Sequence, residues 1–360
     1  MIIGHGGNIY EAAKQLGCSP ADIIDMSSNM NPLGPIEGMV KHIVENMDTM
    51  TSLPDAGAVQ ISTLFAEKYN LDPSHVLAGN GSTQFIYSLP LALKTHKALI
   101  SGPTYADYAD ACSMHGVPHE HITAEEEKDF NPDIDGISGK LENYDTVFIC
   151  NPNNPTGALI HPEEIKQICE SYPDKWFIVD ESYLPFVFES ESYSMLNSGI
   201  PNVIVLNSMS KIYRIPGLRV GFLIGPDTVI KRMLKYMLPW SVNCFAQSAV
   251  MYLMTHHQEV NRFVSKTRKF IDMEMKNLIR MFSHNKSIKL YPSTTGFVLV
   301  RLVNRLTADY VCRALIQNRI LIRDCSNFVG LSKQYIRISL KTSEINKVLG
   351  EKLNEVTRGE

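Results

Sequence analysis

Lys211 stands where an amine can act as a nucleophile: Ser208-Met-Ser-Lys211 closes and follows the apolar run Asn202–Ser208, so the side chain lies at the mouth of a buried strand. An amine held there can form a Schiff base with a carbonyl compound, although a lysine alone is ordinarily a solvated surface charge. Asp180 ends the run KWFIVD. A carboxylate at that point can pair with a protonated pyridine nitrogen and keep the ring an electron sink, or it can simply cap the next helix. Tyr183, three residues on, and Asn154, in the string NPNNPTG, can each donate to a phenolic oxygen on such a ring. By itself an Asn/Pro/Gly string is a turn signal.

A second set of residues suits an anion. Gly81, Ser82 and Thr83 in GNGSTQF open a helical stretch, where the amides and hydroxyls of Ser82 and Thr83 can form an anion nest or a plain N-cap. Ser208, Ser210 and Arg219 surround the lysine and can complete a phosphate cradle, with Arg219 as a two-pronged donor. Tyr105, after ISGP, can stack on a ring face or serve as ordinary core.

Positioning these groups requires a sheet. From about residue 58 to 225 helical and strand-like stretches alternate, as in chains whose parallel strands are joined by crossover helices. Ile61, Leu64 and Phe65 share a face of a helix ending near Asn70, while KALISGP, TVFICNP, KWFIVDE and NVIVLNS read as buried parallel strands. Ligands of open α/β sheets collect at the carboxyl ends of the strands, where the chemical residues above fall. Helical spacing from Thr255 to Phe282 suits a helix bridging to a second, smaller α+β unit built from GFVLVRL, a helix through Ala308 and Leu315, ILIRD, YIRISL and a final helix. Residues 1 to about 45 are expected to pack onto that unit.

The 360 residues have a net charge of −4 with interspersed signs, which gives no field to draw nucleic acid or an anionic membrane. No apolar run is long enough to span a bilayer and no leader is evident, so a cytoplasmic enzyme is expected. Seven scattered cysteines without a CxxC pair are expected to be reduced thiols, mostly buried. Walker-A, GxGxxG and HExxH patterns are absent, and no metal site is expected.

Taken in order, GNGS at Gly79, NPNNPTG at Asn151, DESY at Asp180, SMSK at Ser208 and GLRVG at Gly217 resemble the motif series of fold-type-I pyridoxal-phosphate enzymes, in the branch containing histidinol-phosphate aminotransferases. The likeness covers nearly the whole chain. It implies an α/β, aspartate-aminotransferase-like fold: a large domain with a mostly parallel sheet over 46–265 and a small α+β domain from 1–45 and 266–360. It implies pyridoxal 5'-phosphate as cofactor and a homodimer. Lys211 would be the Schiff-base lysine, Asp180 the pyridinium partner, Tyr183 and Asn154 the phenolic-oxygen donors, and Tyr105 would lie against the ring.

The segments HGGNIYEAAKQLG, SSNMNPLGP, MLPWSVN and ILIRDCSNFVGL are similar to those of threonine-phosphate decarboxylases of cobalamin biosynthesis. That resemblance implies conversion of L-threonine O-3-phosphate to (R)-1-aminopropan-2-yl phosphate and carbon dioxide, with serine phosphate as a further substrate option. Arg337 in YIRISL matches the carboxylate-binding arginine. Arg323 and His5 are candidates for the substrate phosphate, with Asn8, Asn31 and Asn154 as neutral donors, and Lys211 would return a proton to the α-carbon. The alternatives are an aminotransferase for a phosphorylated substrate such as histidinol phosphate, or a silent binding module that keeps the fold. In SLPDAGA, Leu53 stands where these families commonly carry a tyrosine that reaches the cofactor phosphate of the neighbouring subunit, so that hydrogen bond is expected to be missing.

Overall fold

The computed structural model describes residues 6 to 358. After a short strand β1 (Ile24–Asp25), the chain builds a sheet from β2 (Val76–Gly79), β3 (Ala98–Gly102), β4 (His119–Thr123), β5 (Thr146–Cys150), β6 (Trp176–Asp180), β7 (Val203–Ser208) and β8 (Gly221–Ile224). Its spatial order is β2-β8-β7-β6-β5-β3-β4. All neighbours from β7 to β4 are parallel, and β8 runs antiparallel to both β7 and β2.

The four apolar runs read from the sequence are β3, β5, β6 and β7, and they lie side by side in the middle of this sheet. Every residue of β3, β5 and β7 is buried, as expected of parallel strands covered on both faces. One face packs on the helices Val59–Tyr69, Pro162–Ser171 and Cys244–Thr255. The other packs on Gly81–Leu93, Asp107–Met114 and Asp227–Met233. The two flanking strands β2 and β8 have four residues each, too short to stand out as apolar runs. Because β8 is antiparallel, the residues that precede it lie at the edge where the parallel strands end. Arg219 thereby joins Asp180 and Lys211.

The helix His257–Phe282, 26 residues long, buries Val260, Ile271, Leu278 and Phe282 on one stripe. Beyond it β9 (Ile288–Leu290), β10 (Phe297–Leu302), β12 (Arg323–Asp324) and β13 (Tyr335–Ser339) form an antiparallel sheet in the order β12-β13-β10-β9. The helices Ala308–Ile316 and Ser343–Arg358 complete this small domain. The run ILIRD, read as one strand, divides: β11 (Ile320–Leu321) pairs with β1, and β12 pairs with β13. At the N-terminal end, β1 thus docks on the C-terminal region, while the helix Glu37–Glu45 packs against Cys244–Thr255.

All seven cysteines are unpaired, and Cys112, Cys150, Cys169 and Cys325 are buried. Among the described residues no helix is long and apolar enough to cross a membrane, and no group of three His, Cys, Asp or Glu side chains is arranged to hold a metal ion.

Candidate active site

A cavity at the carboxyl edge of the large sheet brings together Gly81, Ser82, Thr83, Tyr105, Asn154, Asp180, Tyr183, Ser208, Ser210, Lys211 and Arg219. They come from the ends of β2, β3, β5, β6 and β7 and, for Arg219, from the residues just before β8. Gly81–Thr83 begin the helix after β2, Tyr105 follows β3, and Asn154 follows β5. Asp180 and Ser208 are the last residues of β6 and β7, and Ser210 and Lys211 lie in the single helical turn Met209–Ile212.

Asp180 Oδ2 accepts a hydrogen bond of 2.8 Å from the Tyr108 hydroxyl, and Oδ1 accepts one of 2.9 Å from the Ser182 amide. Tyr108 is fully buried and stacks on Phe148. Burial, reinforced by the Asp180 charge, pushes its hydroxyl far above the ordinary range and keeps it a donor. Burial together with the charges of Arg337 and Arg219 pushes the Lys211 ammonium down to about 8, so the neutral, nucleophilic amine is accessible near physiological pH. The Lys211 Nζ lies 6.0 Å from the centre of the Tyr183 ring. Burial pushes the Tyr183 phenol up to about 12, and its oxygen accepts from Asn29 Nδ2 at 3.2 Å.

The opposite end of the cavity is shaped for an anion. Asn80, at the N-cap of the helix Gly81–Leu93, makes no side-chain cap, so its side chain leaves the first-turn amides and the positive end of the helix dipole for another acceptor. Gly81 has φ +73°, and a Cβ there would come within 2.7 Å of an Arg219 terminal nitrogen. Only glycine allows that approach. Arg219 itself sits in left-handed backbone at φ 56°, a conformation that non-glycine residues adopt at a cost. Ser210 Oγ is buried without a hydrogen-bond partner among the described residues.

A second cavity opens from the first and shares Tyr105, Asn154, Tyr183 and Lys211 with it. Arg323, Arg337, Asn29 and His121 also line it. Arg337 is buried on β13. It donates to Asn154 Oδ1 and, at 2.6 Å, to the Ser27 carbonyl, while its Nε has no protein partner among the described residues. Arg323 lies over the Phe328 ring at 5.1 Å and donates to Asn327 Oδ1.

Two expected substrate donors lie elsewhere. Asn8 is the exposed N-cap of the helix Ile9–Leu16, accepting from the Glu11 amide. Asn31 is buried with its side chain fully engaged: Nδ2 donates to the Ile212 carbonyl and to Thr267 Oγ1, and Oδ1 accepts from the Leu33 amide. Its backbone amide donates to the Lys211 carbonyl, so Asn31 fixes the lysine turn and does not face substrate. Asn29, two residues earlier, lines the cavity where Asn31 does not. His5 lies outside the described residues. Tyr108, Cys150 and His121 lie outside the motifs, and Ser182 within DESY and Asn29 within SSNMNPLGP were not singled out.

A model of the family "Aminotransferase class I and II" matches residues 21–353. The chain belongs to this family. Members of the class I and II aminotransferase family use pyridoxal 5'-phosphate. The chain is 30% identical, over 99% of its length and 97% of the relative, to a threonine-phosphate decarboxylase of Salmonella typhimurium. It is likewise 30% identical over 99% of its length to the adenosylcobalamin biosynthesis bifunctional protein CobDQ of Leptospira interrogans, of which it spans 41%. Among solved structures, the L-threonine-O-3-phosphate decarboxylase of Porphyromonas gingivalis superposes with a TM-score of 0.83 at 28% identity, covering 92% of this chain and 99% of that one.

Proposed function

We propose that this class I and II aminotransferase-family chain is a pyridoxal-phosphate-dependent carboxy-lyase that converts L-threonine O-3-phosphate to (R)-1-aminopropan-2-yl phosphate and carbon dioxide, a reaction of cobalamin biosynthesis. The observation that carries the reading is the second cavity, in which two arginines flank the approach to Lys211 and suit a substrate with both a carboxylate and a phosphate. The threonine-phosphate decarboxylases among its relatives favour that activity over the transamination of histidinol phosphate.

The residues of the first cavity fit pyridoxal 5'-phosphate, since the uncapped helix start, the unpartnered Ser210 hydroxyl and Arg219 converge on one end while Asp180 waits at the other. When bound, the cofactor supplies the electron sink that accepts the pair released from the α-carbon. Lys211 would hold it through the amine, Asp180 would keep its ring nitrogen protonated, and Tyr183 and Asn154 would serve the phenolic oxygen. Tyr105 would pack against the ring face, and Ser82, Thr83, Ser208, Ser210 and Arg219 would hold the phosphate.

Arg337 takes the substrate carboxylate and Arg323, with His5, takes the substrate phosphate. Only the α-carbon bond that stands perpendicular to the ring is cleaved readily, so the placement of Arg337 decides which bond that is. The Lys211 amine, shared by both cavities, would be placed to return a proton to the α-carbon once carbon dioxide has left.

We assign residues 46–265 to the cofactor-binding domain and 1–45 with 266–360 to the small domain, and the protein to the cytoplasm. A homodimer fits the exposed apolar side chains beside the anion end of the cavity. Leu53 and Leu238 are 75% and 70% exposed, and the Trp240 amide donates to Ala56 next to them. Sedimentation at micromolar concentration tests this, and an active monomer would remove it.

The function itself is tested by incubating the cofactor-loaded enzyme with threonine phosphate, serine phosphate and histidinol phosphate and measuring carbon dioxide and amine. Carbon dioxide release without a 2-oxo acid is expected, and strict dependence on 2-oxoglutarate would overturn it. The two phosphoamino acids differ by one methyl group, worth about 1–3 kcal/mol in a pocket, and the same assay ranks them.

A further inference from the structure

Asp25 belongs to neither cavity, yet the hydrogen bonds that its carboxylate accepts come from the segment that lines the second one. Oδ1 accepts from the Ser27 amide at 2.9 Å, the Ser27 hydroxyl at 2.7 Å and the Ser28 amide at 3.2 Å, and Oδ2 accepts from the Ser28 hydroxyl. Four donors on one carboxylate wind residues 25–28 into a tight turn. A neutral amide could accept only part of this set. Burial works against the charge, but the hydrogen bonds from Ser27 and Ser28, with Lys341 nearby, outweigh it and hold the carboxyl below its ordinary value.

The turn holds three groups in place, of which Arg337 and Asn29 line the second cavity. The Ser27 carbonyl takes Arg337 at 2.6 Å. The Ser27 hydroxyl accepts from the Gly7 amide at 2.7 Å and so ties Gly7 to the turn. Asn29, at the end of the turn, donates to the Tyr183 phenol and accepts from the Ser339 hydroxyl. Lys341 closes the arrangement from behind, with its ammonium 3.3 Å from the Ser28 carbonyl.

We infer that Asp25 is the positioning residue for the substrate carboxylate: it acts through Ser27 to aim the Arg337 guanidinium at the α-carbon. The inference rests on the proposed role of Arg337 and adds the group that sets its angle. Asp25 touches neither substrate nor cofactor. Its loss should therefore spare Lys211, Asp180 and the anion end of the first cavity while loosening the groups that meet substrate on the small-domain side.

The test is Asp25→Asn in the cofactor-loaded enzyme. Loss of charge-assisted bonds to the turn should raise KM for threonine phosphate and for free threonine by a similar factor, about tenfold. The visible absorbance and the affinity for pyridoxal 5'-phosphate should remain those of the wild type. Amide hydrogen exchange over residues 24–30 should speed up in the substrate-free enzyme. This arm is independent of the reaction, so a wild type that releases no carbon dioxide removes the decarboxylase reading and still leaves Asp25 under test. Should Asp25→Asn fail to fold, Ser28→Ala removes a single donor and should give a smaller change of the same pattern. Unchanged exchange and KM, or equal loss of cofactor affinity, would overturn the proposal.

Discussion

The Tyr108 hydroxyl sits 2.8 Å from Asp180 Oδ2, buried beneath the cavity where the sheet ends. A phenol that cannot ionise there stabilises the carboxylate without neutralising it. Tyr108→Phe removes that donor alone, which should lower kcat/KM about 10-fold, the equivalent of a hydrogen bond to a charged group. Asp180→Asn removes the charge and should cost far more. Steady-state decarboxylation kinetics compare the two, and a Tyr108→Phe enzyme as slow as Asp180→Asn would contradict this division.

Lys211 offers a pH handle. Below about 8 its amine is protonated and cannot attack a carbonyl, and above that value it is free. The rate at which cofactor-free enzyme takes up pyridoxal 5'-phosphate should rise as pH passes through this region, as followed by the growth of visible absorbance. Lys211→Ala should abolish both turnover and the adduct fixed by borohydride reduction.

Gly81→Ala places a methyl group within 2.7 Å of Arg219 in backbone at φ +73°. Both the steric clash and the left-handed strain act at the anion end. Cofactor affinity should fall about fivefold to 150-fold, corresponding to about 1–3 kcal/mol, while the thermal stability of the cofactor-free protein should fall less than that of the loaded form. Titration with cofactor and melting with and without it measure the two effects.

Arg323 and Arg337 should be separable. Arg323→Ala should weaken use of threonine phosphate by about 1.5–3 kcal/mol in kcat/KM and barely affect free threonine. Arg337→Ala should impair both and allow slow transamination as a side reaction. An unchanged ratio of kcat/KM for the two substrates in Arg323→Ala would mean that the phosphate is held elsewhere.

Away from the site, Glu126 accepts from Tyr291, Tyr335 and Arg301. Burial alone would raise its pKa, but these hydrogen bonds prevail and hold it at about 2, below the ordinary 4.5. Because the folded value is depressed, the contribution to stability is full above 4.5 and lost as pH falls towards 2. Glu126→Gln should therefore lower the melting temperature near neutral pH, and the gap from wild type should close in that acid window.

From the sequence alone came the four central strands β3, β5, β6 and β7 and most of the lining of the first cavity. Buried parallel strands read as unbroken apolar runs, and the polar residues that stop them sit at the ligand edge by geometry, which is why Lys211, Asp180, Asn154 and Ser208 could be placed without coordinates. The partner of a polar side chain is another matter, because packing chooses it across the whole chain. Asn29 and Asn31 look alike in SSNMNP, yet Asn29 reaches Tyr183, 154 residues away, in the cavity, while Asn31 turns to Thr267, 236 residues away, in the core. Tyr108 on Asp180 and Asp25 behind Arg337 were settled in the same way. Local pattern encodes burial and strand ends, whereas hydrogen-bond pairing over such separations exists only once the elements have docked.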